Sequence, residues 1–215
     1  MCNQIHNSKN IDKLESKNKS LENLLDSEQD INSQLEKDIN ILNKQYNIVR
    51  YNLDNDGFKS KVSFDTSNIT TKSNATREQL LYGLKDTKLI KYVDVFLQVE
   101  KDYKINTFFI VGLVANESGW LTSNRTKNQN NVTGYAVYSD SSKGRTFSSI
   151  EESILTTAKT ISENYINPNG KYHKGLSTYD INIHYSADPN WHSTINSISK
   201  NIVNNINNFT DFLYN

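Results

Sequence analysis

Glu117 is the residue of this sequence best placed to do chemistry. It stands in ANESGWLTSN (115–124), straight after INTFFIVGLV (105–114), the most apolar run of the chain. That run reads as a buried helix, so Glu117 falls at its C-terminal end, facing the negative pole of the helix dipole. Burial beside the Trp120 indole further disfavours the charged carboxylate, and both effects raise its pKa. A carboxyl still protonated near neutral pH can serve as a general acid, giving its proton to a glycosidic oxygen as that oxygen leaves. The same placement also suits a glutamate that only hydrogen-bonds to backbone at a helix end. The rest of the sequence has to separate the two.

Other chemistries are poorly supported. Cys2 is the single cysteine, so neither an intrachain disulfide nor a thiolate metal cluster can form. His6, His173, His184 and His192 lack metal-ligand spacing and are expected to be surface or packing residues. No metal or organic cofactor is implied. The 24 basic and 24 acidic residues cancel, which offers no electrostatic case for nucleic acid. No apolar run is long enough for membrane insertion. MCNQIHNSKN at the start has no apolar signal core. A hydrophobic fraction of 35 % and a mean hydropathy of −0.68 are low, so part of the chain is expected to lie outside a packed core.

Three regions follow from patterning. Residues 10–53 hold no Gly or Pro, and Leu14, Leu21, Leu24, Ile31 and Leu35 fit a heptad repeat. After a four-residue stutter the stripe resumes at Ile39, Leu42, Tyr46, Val49 and Leu53. Residues 1–53 are therefore expected to form a coiled-coil helix that pairs with copies of itself or with another protein. The alternative is an amphipathic helix folded back on the rest of the chain. Residues 54–75, rich in Ser, Thr, Asn and Asp, read as a linker with a short strand at 61–64. Residues 76–215 read as a mostly helical domain. Helices are expected at 77–85 and 87–103, then from an Asn106 cap to Glu117. Another runs from Ser148 or Ser149 to about Tyr165, with Glu151 or Glu152 completing its cap. A short one covers 178–185, and Asp188–Pro189 opens the last. Between them, 128–147 alternates and turns like a small β-hairpin.

Two separated motifs now carry a resemblance. ANESGWLTSN, followed by KNQNNVTGY (127–135), resembles A-x-E-S-G-W-G-x-S and K-N-x-N-N-L-F-G of the glycoside hydrolase family 73 glucosaminidases. NGKYHKGLSTYDINIHYSADPNW (169–191) is similar to that family's G-x-Y-x-G-x-T-L-x-x-I-N-x-x-Y-x-x-D-P-x-W segment. The likeness covers about residues 77–209. It implies a mainly α (α+β), lysozyme-like domain with a helical lobe and a small β-hairpin lobe flanking a cleft. It implies endo-β-N-acetylglucosaminidase activity on the β-1,4 bond between N-acetylglucosamine and N-acetylmuramic acid of peptidoglycan. Glu117 matches the catalytic acid, and Tyr185 a tyrosine close to it that orients water or the substrate acetamido group. Leu121 stands where many members have Gly, which is expected to narrow the cleft floor, and Thr133 replaces a usual Phe.

The second catalytic group stays open. Asp140 is the one acid of the expected β lobe and the candidate base, although an ordinary turn aspartate would look the same. The substrate's own 2-acetamido group could take its place. Trp120, Tyr135, Tyr138 and Tyr172 are candidate sugar-stacking walls, while Trp191 is expected in the core. Asn130 and Asn131 are candidate acetamido binders or turn caps. The heptad stripe and the absent signal suggest a bacteriophage lysin, held in the virion tail by its helix or acting outside the cell at the bacterial wall. Competing readings are a muramidase-type lysozyme and a non-catalytic glycan-binding virion protein.

Overall fold

The computed structural model describes residues 2–54, 57–58, 60–136 and 144–214; within the first helix, side chains are described for 13–40 and 42. The chain divides into two units at residue 55. The first is a single helix, α1 (Cys2–Asp54), about 80 Å long at 1.5 Å per residue. Its described heptad residues, from Leu14 to Leu42, are each more than half exposed. Tyr46, Val49 and Leu53 have side chains outside the described set.

The second unit is helical throughout its regular parts. It contains α2 (Arg77–Gly83), a 3-10 turn (Lys88–Tyr92), α3 (Val93–Tyr103), α4 (Thr107–Ser118) and α5 (Asn124–Gln129). After these come α6 (Ile150–Ile161), running into a π-turn (Ser162–Ile166), α7 (Thr178–Tyr185) and α8 (Trp191–Tyr214). The apolar run forms α4, and Phe108, Phe109, Ile110, Leu113 and Val114 are fully enclosed. α8 packs along α4, α2 and α7, while α3 packs on α4 and α6. The final helix begins two residues later than its Asp-Pro signal suggests. Asp188 instead closes a turn, its carboxylate accepting from the Asn190 N–H at 2.9 Å and its carbonyl from the Trp191 N–H at 3.2 Å.

The start of α4 explains why residues 57–75 are not the linker expected of them. Asn106 caps α4 through Oδ1, which accepts from the Phe108 N–H at 2.9 Å. Its Nδ2 donates to the carbonyls of Ser63 and Thr71 at 3.1 and 2.8 Å. Glu100 accepts from the Thr107 N–H at 2.8 Å and the Ser73 N–H at 3.0 Å. The orphan amides of a buried helix are thus satisfied by side chains that also bind the preceding segment. Phe58, Val62 and Ile69 fill the core between these polar anchors. No strand forms at 61–64. The Asn207 side chain takes both backbone groups of Val62, each at 2.9 Å.

The expected hairpin also lacks regular strands among the described residues. Its two limbs meet at isolated bonds, Phe147 N–H to Gln129 carbonyl at 2.9 Å and Arg145 N–H to Tyr135 carbonyl at 3.1 Å. The buried Asn131 amide occupies the place of a ladder. It donates to the carbonyls of Tyr135 and Arg145 at 3.0 and 2.9 Å, and accepts from the Tyr135 N–H at 2.8 Å. The described limbs of the small lobe are thus tied into an arm by asparagine side chains, Asn131 here and Asn130 beside it.

Close approach of α4 and α8 depends on Gly112. A Cβ there would lie 2.3 Å from Ser199 Oγ, which is already committed to the Phe108 carbonyl at 2.8 Å. Gly112→Ala should destabilise the domain by about 1–3 kcal/mol, the usual cost of overpacking. Urea unfolding measures this, and an unchanged midpoint would show that the two helices can separate freely here.

Candidate active site

α4 delivers Glu117 to the mouth of a cleft of about 760 Å³. The helix ends in a left-handed elbow, with Gly119, Trp120 and Leu121 all at positive φ. The Trp120 N–H closes back on the Ala115 carbonyl at 2.9 Å, and the Leu121 N–H on Ser118 Oγ at 2.8 Å. Two non-glycine residues in this conformation are costly, roughly 1–2 kcal/mol each. The glycine that many family members have at position 121 would remove part of that cost. Leu121 is buried and packs in the core, so it does not narrow the cleft floor.

The carboxyl of Glu117 is held from one side. Trp191, at the first turn of α8, donates its indole N–H to Oε1 at 2.6 Å. A longer contact from Asn116 Nδ2 reaches the same oxygen at 3.5 Å. Facing the other oxygen is the backbone of Gly134, where a Cβ would sit 3.8 Å from Oε2. Gly134 has φ +64°, so glycine keeps the arm in this approach without strain. Burial raises the Glu117 pKa above its ordinary 4.5, and the donors Trp191 and Asn116 and the charge of Arg125 recover only part of that. One oxygen is fixed, the other lies towards Gly134 of the cleft lining, and burial favours the protonated form of the group. That arrangement suits a general acid.

Tyr185, from the last turn of α7, stands beside this pair. Its ring is 4.7 Å from the Trp191 ring and 5.9 Å from Tyr165, centroid to centroid. The residue keeps some exposure on the cleft wall while its hydroxyl end is enclosed. Burial and the Glu117 charge push the phenol well above its ordinary 10, so it is a neutral donor at any working pH. Thr133, in place of the usual Phe, offsets this slightly from beside the phenol and shares a 2.6 Å hydrogen bond with Thr157.

The remaining candidates divide. Tyr135 and Tyr172 line the cleft, Tyr135 with its hydroxyl 3.1 Å from Thr160 Oγ1. Trp120 does not. It lines a separate groove of about 600 Å³ with Tyr82 and Phe209, two rings stacked at 4.0 Å. Asn130 and Asn131 bind the chain itself. Asn130, left-handed at the end of α5, donates to the carbonyls of Phe147 and Ser148 at 3.1 and 3.3 Å, and Asn131 ties the arm. Tyr138 and Asp140 lie outside the described residues. Among the described lining residues Glu117 is the one carboxylate. Among the described residues no group of three or more His, Cys, Asp or Glu could hold a metal ion.

Sequence reasoning placed Trp191 in the core and overlooked its indole N–H. It also overlooked Gly134, Arg125 and Lys171 as lining residues, while His184, expected as a surface or packing residue, is exposed and lines the cleft. His173 and His192 are indeed structural, bonded to the Tyr165 carbonyl at 2.7 Å and to Asn182 Oδ1 at 2.9 Å.

Residues 93–204 match the glucosaminidase family profile, described as mannosyl-glycoprotein endo-β-N-acetylglucosaminidase. The chain belongs to this family, glycoside hydrolase family 73. Its relatives include two Streptococcus pneumoniae proteins, from strains TIGR4 and R6, proposed to be endo-β-N-acetylglucosaminidases. Each is 30 % identical over 154 residues, or 68 % of this chain. The chain spans only 23 % and 22 % of those relatives' lengths. The fold is similar to S. aureus autolysin E. A catalytic mutant of that protein, in complex with the disaccharide NAG-NAM, aligns with TM-score 0.54 and 20 % identity over 69 % of this chain and 75 % of its own. Autolysin E with no ligand named aligns with TM-score 0.55 and 21 % identity over 67 % and 71 %. The lysozyme-like architecture is thereby shown.

Trp191→Phe tests how the glucosaminidase domain holds its acid. The ring stays and the donor to Oε1 goes, which destabilises the carboxylate relative to the carboxyl. The alkaline limb of the pH–rate profile should move to higher pH, and kcat should fall roughly ten- to hundredfold from lost orientation. An unmoved limb in a folded variant would mean that the indole only packs.

Proposed function

We propose that the chain is an endo-β-N-acetylglucosaminidase of bacterial peptidoglycan, cutting the β-1,4 bond between N-acetylglucosamine and N-acetylmuramic acid. The observation that carries this is Glu117, enclosed at a cleft mouth with one oxygen fixed by Trp191 and a raised pKa, within a family 73 domain. Autolysin E, of similar fold, has been crystallised with NAG-NAM and with the muropeptide NAM-L-Ala-D-iGlu, which supports a peptidoglycan strand as substrate. Glu117 gives its proton to the leaving oxygen. The Tyr185 phenol, a neutral donor beside it, orients the attacking group. That group is a water activated by Asp140 or the substrate's own 2-acetamido oxygen.

Purified peptidoglycan digested with wild type and with Glu117→Gln, then reduced with borohydride, gives the test by mass spectrometry. Fragments ending in reduced N-acetylglucosamine, absent with the variant, are expected. Ends in reduced N-acetylmuramic acid would make the protein a muramidase, and no fragments from folded wild type would make it a glycan binder. The variant should fold at least as stably at neutral pH. The folded-state pKa of Glu117 is raised, so wild type loses stability as pH rises from about 4.5 through that value. Glutamine carries no such cost.

We propose further that α1 self-associates as a coiled coil and holds the enzyme in place, as in a phage lysin attached to a virion tail. The exposed stripe from Leu14 to Leu42 supports a second copy of the same helix as its partner. Sedimentation equilibrium of the full chain should give an oligomer. A monomer at tens of micromolar would contradict self-association.

A further inference from the structure

The charge of the cleft is uneven in a way that the chain as a whole is not. Among the described lining residues the cations and titratable bases are Arg125, Lys171 and His184, against the single acid Glu117. Glu117 is the acid that burial keeps towards its neutral form. The protein carries equal numbers of basic and acidic residues, so this local excess is not the spill-over of a basic chain.

Lys171 is placed by a tightly seated turn. After the π-turn of α6, the chain reverses through 167–170, with the Gly170 N–H on the Asn167 carbonyl at 2.7 Å. The Tyr172 N–H then returns to the Asn164 carbonyl at 2.9 Å. Gly170 lies so close that a Cβ would meet the Asn164 carbonyl oxygen at 2.5 Å. Tyr172 packs on Tyr165 at 5.2 Å, and the Lys171 ammonium sits 4.9 Å from the Tyr172 ring centroid. Turn and ring together limit where the ammonium can go. It occupies the variable position between the Gly and Tyr of the family's G-x-Y motif, so it is a feature of this chain. Arg125 comes from α5, which follows the elbow after Glu117, and its charge reaches the Glu117 carboxyl.

A neutral polymer of N-acetylglucosamine offers such groups hydrogen-bond acceptors but no opposite charge. A strand whose alternate sugars carry stem peptides with free carboxylates offers both. Resting on the peptidoglycan reading above, we propose that Lys171 is a specificity-determining residue that binds a stem-peptide carboxylate on the muramyl unit beside the scissile bond. Arg125 adds to the attraction but also acts on Glu117, so Lys171 is the cleaner position to test. An exposed ammonium gains little from one ion pair, and its contribution is screened by salt.

The test is a coupling measurement on the full-length protein. Soluble peptidoglycan strands are compared with the same strands after conversion of their carboxyls to amides, using wild type, Lys171→Gln and Lys171→Arg. On native strands Lys171→Gln should lower kcat/KM about fivefold, the upper end for one exposed ion pair, through KM. Lys171→Arg should recover most of the loss. Amidation should cost wild type a similar factor, and the two losses should not multiply. Losses that multiply, or no loss with Lys171→Gln on native strands, would overturn the proposal. Failure of wild type to cut either strand would instead remove the peptidoglycan reading on which it rests.

Discussion

The site depends on one hydrogen bond between distant parts of the chain, from the Trp191 indole to the Glu117 carboxylate, 74 positions apart in sequence. An enclosed carboxyl with no donor would be driven fully to its neutral form and free to rotate. With one oxygen tied, the group keeps a direction, and its pKa stays raised because burial outweighs the donors. Bringing the two residues together needs α4 and α8 in close contact along their lengths. That contact is built into the interior by Gly112, Ser199 and Ile195. The packing of two helices and the orientation of one acid are thus the same problem.

Around this bond the molecule fixes backbone with side chains. Asn131 ties the arm that carries Gly134 to Glu117, and Glu100 with Asn106 fastens the 57–75 segment across the start of α4. Asn207 does the same for Val62 from α8. Short polar side chains stand in for sheet structure, so a domain without strands among its described residues still has a two-sided cleft.

Much of this was legible beforehand. Most helix positions followed from periodicity and caps, and 178–185 has its expected ends, closed by a Ser177–Asp180 capping box. The short α5 was not expected, and the helix expected at 87–103 opens as a 3-10 turn before α3. Glu117 was visible as a lone acid after an apolar run. The packing of the 57–75 segment and the pairing of the described hairpin limbs differ from expectation for one reason. Polar residues such as Asn106 and Asn131 look the same in sequence whether they face water or bind a carbonyl. Trp191 was assigned to the core by its hydrophobic bulk, correctly, but its single polar atom has a partner that only the tertiary fold reveals. For Asn130 and Asn131 the sequence left acetamido binding and turn capping both open, because amides suit sugars and backbone carbonyls equally well; the structure shows the capping. Trp120 was expected at the cleft as a motif neighbour of the acid, but such a neighbour need not share its cleft. The left-handed elbow turns it into another groove.

The central claim is that Glu117 is an acid kept protonated above the ordinary carboxyl range by burial. Carbon-13 NMR of selectively labelled glutamate carboxyls, assigned by comparison with Glu117→Gln, measures its titration directly. The account predicts a midpoint above 4.5, rising further in Trp191→Phe. A midpoint at or below 4.5 would contradict it and leave Glu117 as a charged, structural helix-end residue.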